Sequence, residues 1–154
     1  MIEKVADKEY KVVIKSQKQM ADLAAEIAAK SEVGDIIALK GTLGAGKSFF
    51  AKSFINSLRK KIGEKPCEVL SPTFNLVYSY DTKKGEVFHF DLYRLKSADE
   101  LENIGFFDAL KNGICLIEWP EIAADFLKKN CLEIEIKIKE DLGEEGREVL
   151  INKL

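Results

Sequence analysis

Gly41-Thr42-Leu43-Gly44-Ala45-Gly46-Lys47-Ser48 fits the pattern G-x-x-x-x-G-K-[ST]. Each residue type suits the binding of a phosphate chain. Glycine permits positive φ, so backbone N–H groups can curl around an anion. A lysine at position 47 offers a point charge to β and γ phosphates. The Ser48 hydroxyl suits Mg²⁺, a hard cation that prefers oxygen ligands. A helix opening near Ser48 would add its positive dipole end. The flanks agree: Asp35 to Lys40 (D-I-I-A-L-K) reads as a buried strand, and an amphipathic helix follows to about Ile62, with Phe50, Phe54, Ile55 and Leu58 on its apolar face and Gly63 closing it.

A phosphate loop needs an acid for the metal, usually at the end of a neighbouring strand. Ile114-Cys115-Leu116-Ile117-Glu118 ends an apolar run in an acid, and Val87-Phe88-His89-Phe90-Asp91 has the same form with one polar interruption. Both acids fall at strand carboxyl ends, where open α/β sheets bind ligands. Glu118 is expected on Mg²⁺, and Asp91 behind the metal or at the attacking water. The reverse assignment stays open. His89 reads as a structural strand residue.

Several nucleotide-binding classes are excluded by what is missing. No N-K-x-D occurs, no Asp is followed three residues later by Gly, and L-S-G-G-Q is absent. A small-molecule kinase is the enzymatic alternative. Such kinases clamp phosphates with several arginines, and this chain has only Arg59, Arg94 and Arg147. A nucleotide-gated module whose hydrolysis serves a partner is the other reading.

The remaining elements follow from periodicity and turn chemistry. Tyr10 to Ile14 reads as a strand. Ser16 and Gln19 read as a capping box, followed by Met20, Leu23, Ala24, Ile27 and Ala28 at helical spacing and ended by Gly34. Phe74 to Tyr80 and Glu86 to Phe90 flank the turn D-T-K-K-G. Ser97 with Glu100 starts a helix through Leu101 and Ile104. Cys131 to Ile138 alternates as a strand, and Glu148 to Asn152 returns beside it. The expected fold is α/β: a P-loop NTPase-like mixed sheet with helices on both faces and added antiparallel strands.

At 154 residues, 46% hydrophobic and 32% charged, the chain can form one packed domain, expected over 1–154. The net charge of -2 does not call for direct nucleic-acid binding. Cys67, Cys115 and Cys131 lack C-x-x-C spacing, and His89 is the sole histidine, so neither a zinc site nor a disulfide framework is expected. No apolar stretch has signal-peptide or membrane-spanning length, so a soluble cytoplasmic protein is expected.

Four motifs occur in order: G-T-L-G-A-G-K-S, Ser71-Pro72-Thr73-Phe74, His89-Phe90-Asp91-Leu92-Tyr93-Arg94-Leu95 and Ile117-Glu118-Trp119-Pro120. Together they closely resemble the bacterial TsaE (YjeE) family, from about Ile14 to Arg147. The resemblance implies a P-loop ATPase needed to make threonylcarbamoyladenosine beside the anticodon of tRNAs that read codons starting with A. It implies ATP and Mg²⁺ at a junction with the TsaB–TsaD pair, tRNA being met through that complex, and hydrolysis that resets the complex between turnovers. No membrane partner is expected.

Carried onto this chain, the resemblance puts Gly41 and Gly44 through Phe49 (Gly44, Ala45, Gly46, Lys47, Ser48, Phe49) around the phosphates and Mg²⁺ on Ser48 and Glu118. Lys47, Thr73, Asp91 and Glu118 are the expected catalytic set, with Thr73 at the water or the γ-phosphate. Trp119 lies beside the nucleotide, and Arg147 is a nucleotide contact by family analogy. Two departures stand out. Family members usually carry Asp where this chain has Thr42, and Thr-Thr where it has Ser48-Phe49. The hydroxyl needed for a metal survives at position 48; the second is lost. The loop itself is expected to be exposed.

Overall fold

The computed structural model describes residues 2–61, 72 and 75–154, with the backbone alone at 60–61. Eight strands form one sheet. They are β1 (Ile2–Ala6), β2 (Glu9–Ile14), β3 (Ile36–Lys40), β4 (Val77–Thr82), β5 (Gly85–Asp91), β6 (Ile114–Glu118), β7 (Cys131–Ile138) and β8 (Arg147–Lys153). Their order is β1-β2-β8-β7-β3-β6-β5-β4. The centre is parallel: β3 pairs with β6 and β7, and β5 pairs with β6. Antiparallel pairs flank it, β4 with β5 on one side and β7-β8-β2-β1 on the other. The mixed sheet expected from the sequence is present.

The central strands are apolar on both faces because both faces are covered. Alternation along β3 sends Ile37 and Leu39 one way and Ile36 and Ala38 the other. Ile37 and Leu39 join a core with Leu116 and Ile134. That core is roofed by α1 (Gln17–Lys30) through Met20 and Leu23, and by α2 (Lys47–Lys61) through Phe50, Phe54 and Leu58. Ile36 and Ala38 join the opposite core with Phe90, Cys115 and Ile117. There the cover is α3 (Phe106–Asn112) and two 3-10 segments, Ala98–Ile104 and Pro120–Phe126. Helices therefore lie on both faces.

Local signals act where expected. The Ser16 side chain accepts from Gln19 N at 3.2 Å, and Gln19 Oε1 accepts from Lys15 N at 2.7 Å. Ser97 and Glu100 form a reciprocal capping box. Three details differ from the sequence expectations. The element after Ser97 is a 3-10 segment, and Gly105, at φ +72°, ends it and begins α3. The turn between β4 and β5 is tighter than D-T-K-K-G, because Asp81 and Thr82 pair with Glu86 and Gly85. Strand β1 carries no hydrophobic face, being exposed at all five positions, so alternation could not announce it. The expectations on Gly63, Cys67, Ser71, Thr73 and Phe74 lie outside the described residues. Among those described, no helix is long and apolar enough to cross a membrane.

Phe90 shows what holds the second core together. It is fully buried, with its ring edge-on to Phe106 at 5.2 Å between centroids. Phe90→Ala should cost about 3–5 kcal/mol, because the cavity closes only partly. Chemical denaturation checks this, as a lowered midpoint at unchanged slope.

Candidate phosphate-binding site

Residues 41–46 carry the chain from the end of β3 into α2, which begins at Lys47. The loop turns through positive φ at Gly41 (+150°), Gly44 (+79°) and Gly46 (+115°). At Gly41 the need for glycine is also steric, since a Cβ there would stand 2.7 Å from Ile136 O. The loop is braced from within: Ala45 N donates to Thr42 O at 3.1 Å, and Phe50 N to Gly46 O at 2.9 Å. The Gly46 amide has no protein acceptor among the described residues.

Lys47 is only 5% exposed, which corrects the expectation of an exposed loop lysine. Its Nζ donates to Gly41 O and Thr42 O and stands 3.8 Å from the centroid of the Trp119 ring. Burial pulls its pKa below the ordinary lysine value, and the carboxylates of Glu118, Asp91 and Glu121 oppose that shift. An ammonium group held by carbonyls and an aromatic face is poised to exchange those partners for a stronger acceptor such as phosphate.

The acids meet the loop through strand register. Parallel pairing of β5 with β6 sets Asp91 opposite Glu118. Both are buried, at 4% and 3% exposure. Ser48 Oγ lies 3.1 and 3.2 Å from the two Glu118 oxygens. Asp91 Oδ1 accepts from Tyr93 N at 3.0 Å. Glu118 has a further partner, His89 Nε2, at 2.6 Å. With Glu118 ionised, that nitrogen carries the proton and donates it. His89 Nδ1 is buried without a hydrogen-bond partner among the described residues. Reading His89 as structural missed this contact with an expected metal ligand. The signal was its spacing, because His89 and Asp91, two apart on one strand, share a face.

A cavity of about 240 Å³ opens where these groups converge, lined by Thr42, Leu43, Gly44, Gly46, Lys47, Ser48, Phe49, Asp91, Glu118 and Trp119. Trp119 adopts a left-handed backbone at φ +56°. Its indole is covered by the Tyr93 ring, 4.8 Å between centroids, and Tyr93 remains 56% exposed. A second cavity of about 410 Å³ lies on the other flank of Gly44 to Gly46, against Ile14, Ser16, Gln17, Met20, Glu144, Glu145 and Arg147. Ala45 and Arg147 border this second cavity and not the first. A larger hollow of about 510 Å³, bordered by Ile36, Asn130 and Cys131, lies away from the loop and includes none of the phosphate-site residues.

Of the residues singled out in the sequence, Gly44, Gly46, Lys47, Ser48, Phe49, Asp91, Glu118 and Trp119 line one cavity. Gly41 anchors the base of the loop. Thr73 lies outside the described residues. Among those described, no three His, Cys, Asp or Glu side chains form a ready-made metal cage. That fits Mg²⁺, which is commonly held by one or two protein oxygens, phosphates and water.

A parallel sheet centre whose middle strand runs through a glycine-rich loop into a buried-lysine helix defines a P-loop NTPase-like fold. Comparison with known proteins narrows the class. The family model for "Threonylcarbamoyl adenosine biosynthesis protein TsaE" matches residues 14–149. A tRNA threonylcarbamoyladenosine biosynthesis protein TsaE from Aquifex aeolicus is 41% identical over 143 residues, 91% of this chain and 93% of that protein. One from Rickettsia prowazekii is 38% identical over 125 residues, covering 81% and 84%. Among solved structures, the crystal structure of Bacillus subtilis YdiB is similar with a TM-score of 0.69 and 27% identity, over 99% of this chain and 87% of that one. The chain belongs to the TsaE family, whose role lies in threonylcarbamoyladenosine biosynthesis.

Proposed function

We propose that this chain binds ATP with Mg²⁺ and hydrolyses it in support of tRNA threonylcarbamoyladenosine formation, working with TsaB and TsaD. The observation that carries the reading is the convergence of Lys47, Ser48 and Glu118 on the cavity wall formed by the glycine loop. The reading assigns the phosphates to that cavity and the nucleoside end to the second cavity across Gly44 to Gly46.

The chain's own residues divide the work. Loop amides from Gly44 to Ser48 cradle the phosphates, and Lys47 turns from Gly41 O and the Trp119 face to meet them. Ser48 and Glu118 would hold Mg²⁺, which would supply neutralisation of phosphate charge. Asp91 lies opposite Glu118 and lines the same cavity, which supports its assignment to the attacking water. His89 steadies the Glu118 carboxylate by the bond to Oε2.

No arginine lines this cavity among the described residues. An arginine finger is worth about 10³–10⁵ in rate, so hydrolysis by the chain alone should be slow and TsaB–TsaD should accelerate it. The kinase alternative is disfavoured by the same residues. Arg59 is tied to Asp81 O at 2.7 Å and Arg147 to Ala45 O at 2.8 Å, which leaves them unsuited to a mobile lid. Phosphate release with and without TsaB–TsaD, alongside threonylcarbamoyl transfer to tRNA over many cycles, tests the proposal. Fast, partner-independent turnover, or transfer that runs equally well without this chain, would reject it.

The single tryptophan gives a clean optical test. Removing the Lys47 ammonium from the Trp119 ring should shift its emission on nucleotide addition. A saturable change with Mg-ATP is expected in the wild type and its loss in Lys47→Ala.

A further inference from the structure

The hydrogen bonds of Arg147 suggest a different job from that of a nucleotide ligand. Its Nε donates to Ala45 O at 2.8 Å, and its Nη1 to Glu144 O at 3.1 Å and Gly146 O at 2.8 Å. The guanidinium thus spans from the β7–β8 connection to the phosphate loop. The connection is itself pinned, since Glu145 Oε2 accepts from Gln17 N at 3.0 Å at the start of α1. Gly146 allows its tight course: a Cβ there would stand 2.4 Å from Lys139 O and 2.5 Å from Leu142 Cβ. At the base of the loop, Gly41 abuts Ile136 O of β7. The β7–β8 hairpin therefore buttresses the loop at both ends.

The consequence follows from peptide geometry. In a planar trans peptide the C=O and the next N–H point in opposite directions. Arg147 fixes the Ala45 carbonyl on the flank of the second cavity. The same peptide unit then turns the Gly46 N–H away from Arg147; Gly46 borders both cavities, and the side away from Arg147 is the phosphate-side one. That amide has no protein acceptor among the described residues, as a donor reserved for a ligand would not.

We propose that Arg147 is a positioning residue, which by holding the Ala45 carbonyl keeps the Gly46 amide aimed at a bound phosphate chain. The inference rests on the nucleotide-binding reading above. It gives Arg147, which lines the second cavity, a role that needs no contact with the base or sugar.

Inorganic tripolyphosphate, which has neither base nor sugar, is the decisive probe. Its binding and that of ATP, each with Mg²⁺, are measured by calorimetry for the wild type, Arg147→Gln and Arg147→Lys. Arg147→Gln should weaken both ligands by the same factor, about tenfold or more. Arg147→Lys, which keeps one charged donor, should recover much of the loss for both, at a thermal midpoint close to that of the wild type. Weaker ATP binding with tripolyphosphate binding retained would make Arg147 a nucleoside contact and overturn the proposal. Unchanged affinity for both, or a loss that lysine does not rescue and that tracks a fallen midpoint, would also overturn it. A wild type that binds ATP but not tripolyphosphate would count against it as well. Only a wild type that binds neither ligand would remove the nucleotide-binding reading itself.

Discussion

Lys47→Ala should lower affinity for Mg-ATP by about a hundredfold or more while leaving the thermal midpoint unchanged or slightly raised. The two halves of this expectation share one cause. Lys47 is buried, so its charge has left water for carbonyl partners and an aromatic face. Burial holds its pKa below the ordinary lysine value of 10.5. Between that lowered value and 10.5, the unfolded chain binds more protons than the folded one, so stability rises with pH across that alkaline window. Below the window the buried charge is a full cost to the fold. Alanine removes this cost together with the hydrogen bonds to Gly41 O and Thr42 O, and the net change in stability should stay within about 1 kcal/mol. Calorimetric titration and thermal melting measure both halves. Undiminished affinity would exclude Lys47 as a phosphate ligand, and a collapsed midpoint would make it a structural lysine.

Glu118→Gln should lower the rate of ATP hydrolysis by about 10²–10³. The substitution keeps the shape of the side chain and an oxygen for His89 Nε2, so the buried contact at 2.6 Å has a replacement. It removes the negative charge beside Ser48 Oγ that a divalent cation would share. Nucleotide binding without Mg²⁺ should survive, and the gain in affinity on adding Mg²⁺ should shrink. Asp91→Asn is the control. Asp91 lines the same cavity, but its Oδ1 already serves Tyr93 N, and Ser48 bonds to Glu118. Loss of Mg²⁺ dependence in Asp91→Asn with Glu118→Gln unaffected would exchange the two roles.

Most of the site could be read from the sequence because local rules decide it. A strand, three glycines at fixed spacing and a helix announce a loop able to turn its amides inward. Two apolar runs ending in acids must bring those acids to one edge if they pair in parallel, and β5 and β6 do so with Asp91 opposite Glu118. Contacts decided by tertiary packing were out of reach. The bond from His89 to Glu118 spans two strands and depends on their register. The grip of Arg147 on Ala45 spans the β7–β8 hairpin and the loop, a contact that no local pattern in the sequence announces. Strand β1 left no pattern, because it completes an edge without burying a face. The break at Gly105 was missed because the apolar positions continue through Phe106 into α3, while φ +72° ends the first segment.

A crystal structure of the chain with Mg²⁺ and a non-hydrolysable ATP analogue tests most directly whether the loop grips a triphosphate. The β and γ phosphates should lie among the amides of Gly44 to Ser48, with Lys47 Nζ withdrawn from the Trp119 ring and bonded to them. A nucleotide bound elsewhere, with Lys47 still against Trp119 and Gly41 O, would contradict that claim.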